Sequence, residues 1–184
     1  MDPTHGETEL AAAFRDGDDL ACARLFERYR RPVYLFGLKM LGDADGARDL
    51  VQDVFLRVWE RRGQLQSPDR FRSWLFAIAR NRCLSRLRRD HAQVDLDEAP
   101  PAALAVAPAP DAREREQDLA RLQRALAALS VEHREVLVLR EYQELSYREI
   151  AEVLGASESA VKSRLFKARL ALHAAFERAS REGG

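Results

Sequence analysis

Arginine is the residue type that most clearly indicates a binding function in this 184-residue chain, and it is unevenly distributed. Residues 61–89 hold nine arginines and one acidic residue, Asp69, and residues 157–184 hold six basic residues against three acidic ones. Residues 90–118, in contrast, carry eight acidic residues and two basic ones. The formal net charge of zero therefore conceals two basic segments and an acidic segment between them. Cations clustered in this way predict binding to phosphates.

The sequence lacks the common catalytic and metal-binding patterns. Its four histidines are scattered, and it has no His-Glu-x-x-His motif, no Cys-x-x-Cys pair and no glycine-rich phosphate loop. Cys22 and Cys83 both fall in apolar helical patterns, which predicts small buried side chains in a reducing compartment. No apolar run approaches the roughly 20 residues of a membrane helix, and the polar N-terminus does not resemble a signal peptide. We therefore expect a cytoplasmic binding protein that is not an enzyme, needs no metal or cofactor and does not insert into a membrane.

The first basic segment combines cations with a helical apolar pattern. Its main cations are Arg72, Arg80, Arg82, Arg86 and Arg89, of which the last three recur at i, i+4 and i+7. Such a stripe can follow a phosphate backbone, and the flexible polar loop 61–69 before it can accept an unstacked base. An ordinary solvated face is the alternative interpretation. The neighbouring aromatic residues are expected in the core rather than on a stacking surface: Trp59, Phe71 and Trp74.

The predicted helix before this segment has an acidic outer face. Asp49, Gln52, Asp53 and Glu60 lie on it, and Leu56 is exposed among them. Carboxylates repel DNA, so this face is predicted to bind a protein.

Residues 146–170 satisfy the packing requirements of a helix-turn-helix. Ser146 and Glu149 form a predicted capping box, and Gly155 suits the left-handed residue that ends a short helix. The second helix has an outward face of hydroxyls, cations and one ring: Ser159, Lys162, Ser163, Phe166 and Lys167, flanked by Arg164 and Arg169. Such a face fits the major groove of duplex DNA, and a solvated surface helix is the alternative.

Both halves of the chain are predicted to be helical, because apolar residues recur at helical spacing and no segment alternates with period two for the length of a strand. Pro32 is predicted to open a new helical segment, and Ser130 and Ser157 are predicted N-caps. An acidic stretch rich in Pro and Ala interrupts every pattern and is predicted to be a flexible linker. The predicted fold class is all-α: two small helical domains, residues 10–89 and 115–178, joined by the linker 90–114, with the helix-turn-helix in the second domain.

Three stretches, in this order, resemble the extracytoplasmic-function (ECF) sigma factors of the sigma-70 family. They are residues 49–59 (DLVQDVFLRVW), residues 71–81 (FRSWLFAIARN) and residues 133–142 (HREVLVLREY), the last running into the helix-turn-helix. The resemblance covers almost the whole chain. It implies a subunit that binds core RNA polymerase and directs promoter-specific transcription initiation, with an anti-sigma factor as a further partner.

The resemblance also implies roles for individual residues. The first domain would contact the clamp helices of the polymerase beta-prime subunit, and the second the flap of the beta subunit. The implied polymerase-binding residues are Asp49, Gln52, Asp53, Leu56, Arg57 and Glu60. The melted minus-ten element, with one base flipped out, would be held by Arg61, Arg62, Arg72, Arg80, Asn81, Arg82, Arg86 and Arg89. The duplex minus-thirty-five element would be read by Arg148, Ser159, Lys162, Ser163, Arg164, Phe166, Lys167 and Arg169.

Two other functions stay open on the residues alone. A stand-alone regulator would bind duplex DNA through residues 146–170 and use the first domain for dimerisation or ligand sensing. A helical adaptor that binds no DNA would have no salt-dependent DNA affinity. Association with core polymerase, followed by transcription from a cognate promoter, separates these functions from initiation.

Overall fold

The structure, a computed structural model, describes residues 3–94 and 110–181, and the side chains of residues 6–89 and 117–181. Within these ranges the chain is helical and contains no β-strand, as predicted. The middle of the predicted linker, residues 95–109, lies outside the described residues. The α-helices are α1 (Pro3–Arg15), α2 (Asp19–Leu41), α3 (Ala44–Glu60), α4 (Phe71–Val94), α5 (Pro110–Ala127), α6 (Val131–Leu137), α7 (Tyr147–Leu154) and α8 (Glu158–Arg181).

Helices α1–α4 pack around an aromatic core. The ring of Phe14 meets that of Phe71 edge-on with centroids 5.7 Å apart, and Phe36 meets Phe76 in the same way at 5.9 Å. All four rings are buried. Edge-to-face pairs of this kind add about 0.5–1.5 kcal/mol to the effect of burial alone. The core therefore fixes α4, which carries most of the candidate minus-ten residues, against α1 and α2.

Pro32 lies inside α2, which runs unbroken from Asp19 to Leu41, so the prediction that it opens a new segment is wrong. A proline removes one main-chain hydrogen bond and crowds the preceding turn, at about 3 kcal/mol. Tyr29, Val33 and Phe36 around it are all buried in the core. Because burying one such side chain contributes about 1.5–3 kcal/mol, the packing of this face outweighs the proline.

Helices α5–α8 form the second domain, and its predicted caps are confirmed. The hydroxyls of Ser130 and Ser157 each accept a hydrogen bond from an amide three residues ahead. Ser146 and Glu149 form both hydrogen bonds of the capping box at the start of α7. Gly155, which ends α7, has a φ of 61°, in the left-handed region that favours glycine. The turn from Gly155 to Ser157 then sets α8 across α7, as the helix-turn-helix prediction requires.

The helix that Ser130 caps changes its geometry in its second half. α6 ends at Leu137, and Val138–Tyr142 continues as a π-helix. Glu144, just beyond it, has a φ of 53°, which is uncommon for a residue with a side chain. This irregular segment faces the first domain, so its shape affects how the two domains meet.

None of the helices in residues 3–94 and 110–181 combines the length and apolar character that crossing a membrane requires. The described part of the chain also contains no group of three His, Cys, Asp or Glu residues able to hold a metal ion.

Candidate nucleic-acid and polymerase interfaces

The outer face of α8 presents the predicted DNA-reading residues to solvent. All five are exposed: Ser159, Lys162, Ser163, Phe166 and Lys167. The opposite face packs through Val161, Leu165 and Ala168, which are buried. Phe166 is 66 % exposed, so its ring is accessible to a partner. Two ammonium groups, two hydroxyls and one ring can contact base edges and thymine methyl groups in a major groove.

The three arginines beside this face have different surroundings. Arg148 is exposed in the first turn of α7. Arg169 is about half exposed and donates a hydrogen bond of 2.7 Å to Glu141, which raises the pKa of Arg169. Arg164 instead turns inward and lies 3.7 Å from the buried carboxylate of Glu135. The structure therefore leaves Arg148 and Arg169 accessible to phosphates and gives Arg164 an internal ion pair.

A cleft of about 270 Å³ opens between α4 and the loop that precedes it. The loop forms two 3₁₀ turns, Arg62–Gln64 and Pro68–Arg70, and the side chain of Leu65 between them is buried. The cleft is lined by Gln64, Leu65, Gln66, Ser67, Arg70, Ser73, Trp74, Ala77 and Glu152. Amides, hydroxyls, a cation and an indole ring are the groups with which proteins hold an unpaired base.

The three aromatic residues predicted in the core have different positions. Phe71 is buried, as expected. Trp59 is partly buried, and the guanidinium of Arg62 stacks on its ring at 4.3 Å. Trp74 is also partly buried and forms part of the cleft wall. Of these three residues only Phe71 is fully buried in the core. The two tryptophans pack against the core and expose part of their rings.

The candidate polymerase-binding residues form a stripe along the outer side of α3. The stripe consists of Asp49, Gln52, Asp53, Leu56, Arg57 and Glu60, each at least partly exposed. Leu56 near its centre is 58 % exposed. Two acids of the stripe pair with arginines of α4, Asp53 with Arg82 at 2.7 Å and Asp49 with Arg86 at 3.3 Å. We call this surface the α3 stripe.

The candidate minus-ten residues are consequently divided among three places. Arg82 and Arg86 face the α3 stripe rather than the cleft. Arg72 and Arg80 contact the second domain. The others lie on the loop or at the surface of α4: Arg61, Arg62, Asn81 and Arg89.

The comparisons with known proteins assign the chain that carries these surfaces to a family. The model of Sigma-70 region 2 matches residues 25–93, and that of Sigma-70 region 4 matches residues 119–172. The ECF RNA polymerase sigma factor SigM of Mycobacterium tuberculosis is 34 % identical over 168 residues, which cover 90 % of this chain and 82 % of SigM. This chain belongs to the ECF sigma factors of the sigma-70 family. The resemblance stated from the sequence is thereby confirmed, and the family consists of transcription initiation factors rather than enzymes.

Solved structures of relatives share the fold of this sigma factor. CnrH, in complex with the cytosolic domain of CnrY, is 29 % identical with a TM-score of 0.70, and the match covers 94 % of this chain and 97 % of CnrH. RpoE from Bartonella quintana, in complex with the anti-sigma factor NepR, is 26 % identical with a TM-score of 0.69, over 84 % of this chain and 96 % of RpoE. Both matches extend over the two domains.

The second domain of the sigma factor lies against the cleft of the first. The Ser73 hydroxyl donates a hydrogen bond of 2.6 Å to Glu152 on α7, and Arg70 lies 3.7 Å from the same carboxylate. Arg72 donates to the main-chain carbonyl of Gln143 and lies 3.8 Å from the Glu149 carboxylate.

A buried carboxylate also links the two domains. Glu135 of α6 is 1 % exposed and accepts two hydrogen bonds from Arg80 of α4, at 2.8 and 3.2 Å. Bidentate, charge-assisted pairs of this geometry are among the stronger hydrogen-bonded interactions in proteins. Because Glu135 also pairs with Arg164, one carboxylate connects α4 of the first domain to α8 of the second.

Two further contacts join the domains away from the cleft. Arg134 donates to the main-chain carbonyl of Met40 at 2.8 Å and to carbonyls at the end of α5. The ammonium group of Lys39 lies 5.1 Å from the ring centroid of Tyr142. Burial lowers the pKa of Lys39 and of Arg134 and raises the pKa of Tyr142.

Sequence reasoning missed several residues of the cleft and of the contact between the domains: Arg70, Ser73, Glu135 and Glu152. Glu135 had a detectable signal, because it is the acidic residue directly before the apolar run from Val136 to Leu139. The other three have no local signal, since the cleft forms only when the loop, α4 and α7 come together.

Proposed function

We propose that this sigma factor binds core RNA polymerase and directs it to promoters by reading two elements in different states. The minus-thirty-five element is read as duplex by α8, and the minus-ten element is held as a melted strand by the cleft and α4. The observation that carries this proposal is the exposed polar and cationic face of α8. The opposite face of α8 is buried in the packed helix-turn-helix, which holds the exposed face in place.

In the upstream contact, α8 lies in the major groove. Lys162, Ser163, Phe166 and Lys167 are nearest the bases because they share the outward side of the helix. Lys side chains pair with guanine acceptors, and an aromatic ring packs on a thymine methyl group. The accessible Arg148 and Arg169 hold phosphates and fix the register of the helix without reading sequence.

In the downstream contact, the cleft takes up one base extruded from the non-template strand. Extrusion loses a few kcal/mol of stacking and pairing. Stacking on a ring such as Trp74 recovers about 1–3 kcal/mol per base, and the amides of Gln64 and Gln66 offer partners to its edge. Arg61, Arg72 and Arg80 lie around the cleft or along α4 and hold the strand backbone.

The α3 stripe is the proposed contact to the clamp helices of the beta-prime subunit, and the second domain contacts the flap of the beta subunit. The exposed Leu56 gives this surface one apolar anchor, and the charged residues around it can form a polar rim. An anti-sigma factor is a further proposed partner, because the similar RpoE was solved with one bound.

Lys167→Ala and Arg169→Ala are expected to weaken DNA binding in different ways. Loss of Lys167 removes a base contact and lowers affinity for the cognate upstream duplex by about 1–3 kcal/mol relative to a scrambled duplex. Loss of Arg169 weakens both duplexes alike and reduces the salt dependence by about one phosphate contact. Fluorescence anisotropy over a range of salt concentrations measures both, with fragments selected from a random library by the reconstituted holoenzyme. Equal losses for both variants on both duplexes would exclude the assignment of Lys167 to the bases.

A further inference from the structure

We infer that Tyr147 is a positioning residue for the contact between α8 and duplex DNA. Its ring holds the ammonium group of Lys162 in place, and it gathers Arg140 and Arg169 beside that group into a site for one phosphate of the duplex. This inference rests on the proposed function and deepens it, because it adds Tyr147 and Arg140 to the residues that recognise the upstream element.

Tyr147 lies where three segments of the second domain meet. It is the first residue of α7, and its side chain is partly buried against the core. The π-helix Val138–Tyr142 precedes it in the chain, and α8 packs against α7. A tyrosine has only two side-chain torsions, and packing against the core restricts both of them. The ring can therefore act as a fixed support for the longer side chains around it.

Two cations from the neighbouring segments contact the ring of Tyr147. The ammonium group of Lys162 lies 5.6 Å from the ring centroid, and the guanidinium of Arg140 lies 5.0 Å from it. A cation within about 6 Å of the centroid is attracted by the negative face of an aromatic ring. Arg140 has a second anchor, because it donates a hydrogen bond of 2.7 Å to the main-chain carbonyl of Leu145. The ring thus holds two groups of like charge close together.

Arg169 joins this group from α8, two helical turns after Lys162. Its hydrogen bond to Glu141, together with a weaker interaction with Tyr147, raises the pKa of Arg169. In the part of the chain whose side chains the structure describes, Glu141 is the one carboxylate that pairs with any of these cations. Three cations against one carboxylate leave an excess of positive charge, which a phosphate of the duplex can neutralise.

Lys162 and Lys167 differ in their support, although both belong to the exposed face of α8. Lys162 has the ring of Tyr147 beside its ammonium group, whereas no ring among the described residues lies over that of Lys167. A lysine side chain loses rotamer freedom when a partner immobilises it. Because the ring restricts Lys162 before DNA binds, Lys162 has less freedom to lose than Lys167 has.

Tyr147→Leu is expected to lower the affinity of the full-length sigma factor for the cognate upstream duplex by about two- to fivefold, the magnitude of an exposed cation–π contact. The leucine still packs against the core but offers no π face. Tyr147→Phe keeps the ring and should stay within about twofold of the unaltered protein. Tyr142→Leu is the matched control, because this partly buried tyrosine contacts Lys39 and no candidate DNA residue. Fluorescence anisotropy measures the affinities, and circular dichroism melting verifies the fold.

A double-mutant cycle separates positioning from a general effect on the fold. We expect Lys162→Ala to lower the affinity for the cognate duplex about two- to fivefold less in the Tyr147→Leu background than in the unaltered protein, since the ring no longer holds the amine. Lys167→Ala should lower it equally in both backgrounds. A merely structural effect of Tyr147→Leu would change the contributions of both lysines alike.

Arg140→Ala tests the phosphate site without changing the ring. We expect equal losses of affinity on the cognate and the scrambled duplex, and a salt dependence reduced by about one phosphate contact. Arg178→Ala is the control, because Arg178 is an exposed arginine of α8 outside this group, and its salt dependence should be unchanged. This test remains valid even where Tyr147→Leu does not fold.

Three results would overturn the inference. They are an unchanged affinity of a folded Tyr147→Leu protein, equal coupling of Tyr147 to Lys162 and to Lys167, and an unchanged salt dependence of Arg140→Ala. Each of them would leave the proposed function intact. Equal binding of the cognate and the scrambled duplex by the unaltered protein would instead contradict the proposed function.

Discussion

Leu56→Glu is expected to weaken assembly of the sigma factor with core RNA polymerase by more than about 100-fold, which corresponds to about 2.7 kcal/mol. Leu56 is 58 % exposed near the centre of the α3 stripe, where an apolar side chain has most to gain from burial by a partner. A carboxylate at this position would lose its hydration in the complex without a matching cation. The fold should be unaffected, because the side chain makes little contact with the core.

The matched control for this prediction is Leu20→Glu on α2, where the leucine is 61 % exposed and lies outside the stripe. Titration of labelled sigma factor with core polymerase gives the two affinities, and circular dichroism melting verifies that both variants remain folded. Holoenzyme formation at the unaltered affinity by a folded Leu56→Glu protein would remove the α3 stripe from the proposed interface.

Glu135→Gln is expected to lower the free energy of unfolding by about 2–4 kcal/mol. The carboxylate is 1 % exposed and is shared by Arg80 and Arg164, so its neutralisation leaves two cations without their counter-charge. Breaking a fully buried pair in this way costs about 3–5 kcal/mol. The expected loss of stability is somewhat smaller because the side chains of Arg80 and Arg164 are 23 % and 30 % exposed and remain partly hydrated.

Glu141→Gln, six residues later in the chain segment that follows α6, is the control. Its carboxylate pairs with Arg169 at 2.7 Å, but both side chains are about half exposed, so the loss should stay below about 1 kcal/mol. Urea unfolding followed by far-ultraviolet circular dichroism measures both variants. Equal shifts of the two unfolding midpoints would contradict the central position given to Glu135.

Short-range signals account for the features that were predicted correctly. The capping box of Ser146 and Glu149 and the turn at Gly155 each involve residues within four positions of one another, so their geometry follows from local chemistry. The exposed outer face of α8 follows from helical periodicity alone, because any helix at these positions brings Lys162, Phe166 and their neighbours to one side. These features define the helix-turn-helix without knowledge of the rest of the molecule.

Long-range packing accounts for the differences. Pro32 predicts the end of a helix, yet α2 continues through it because the apolar residues around it are buried in the core. The periodic stripe of Arg82, Arg86 and Arg89 predicted a surface that follows a phosphate backbone, with a solvated face as the alternative. Instead, α3 packs beside Arg82 and Arg86 and supplies Asp53 and Asp49 as their partners. The pairing of Arg80 with a carboxylate 55 positions away likewise has no local signature.

Permanganate footprinting of a promoter fragment selected by the reconstituted holoenzyme is the most direct measurement of the central claim, that this chain directs melting at a promoter. We predict reactive thymines in the minus-ten region with the holoenzyme, and none with core polymerase alone, with the sigma factor alone or with the Leu56→Glu variant. A fragment that the holoenzyme binds but leaves unreactive throughout that region would contradict the account.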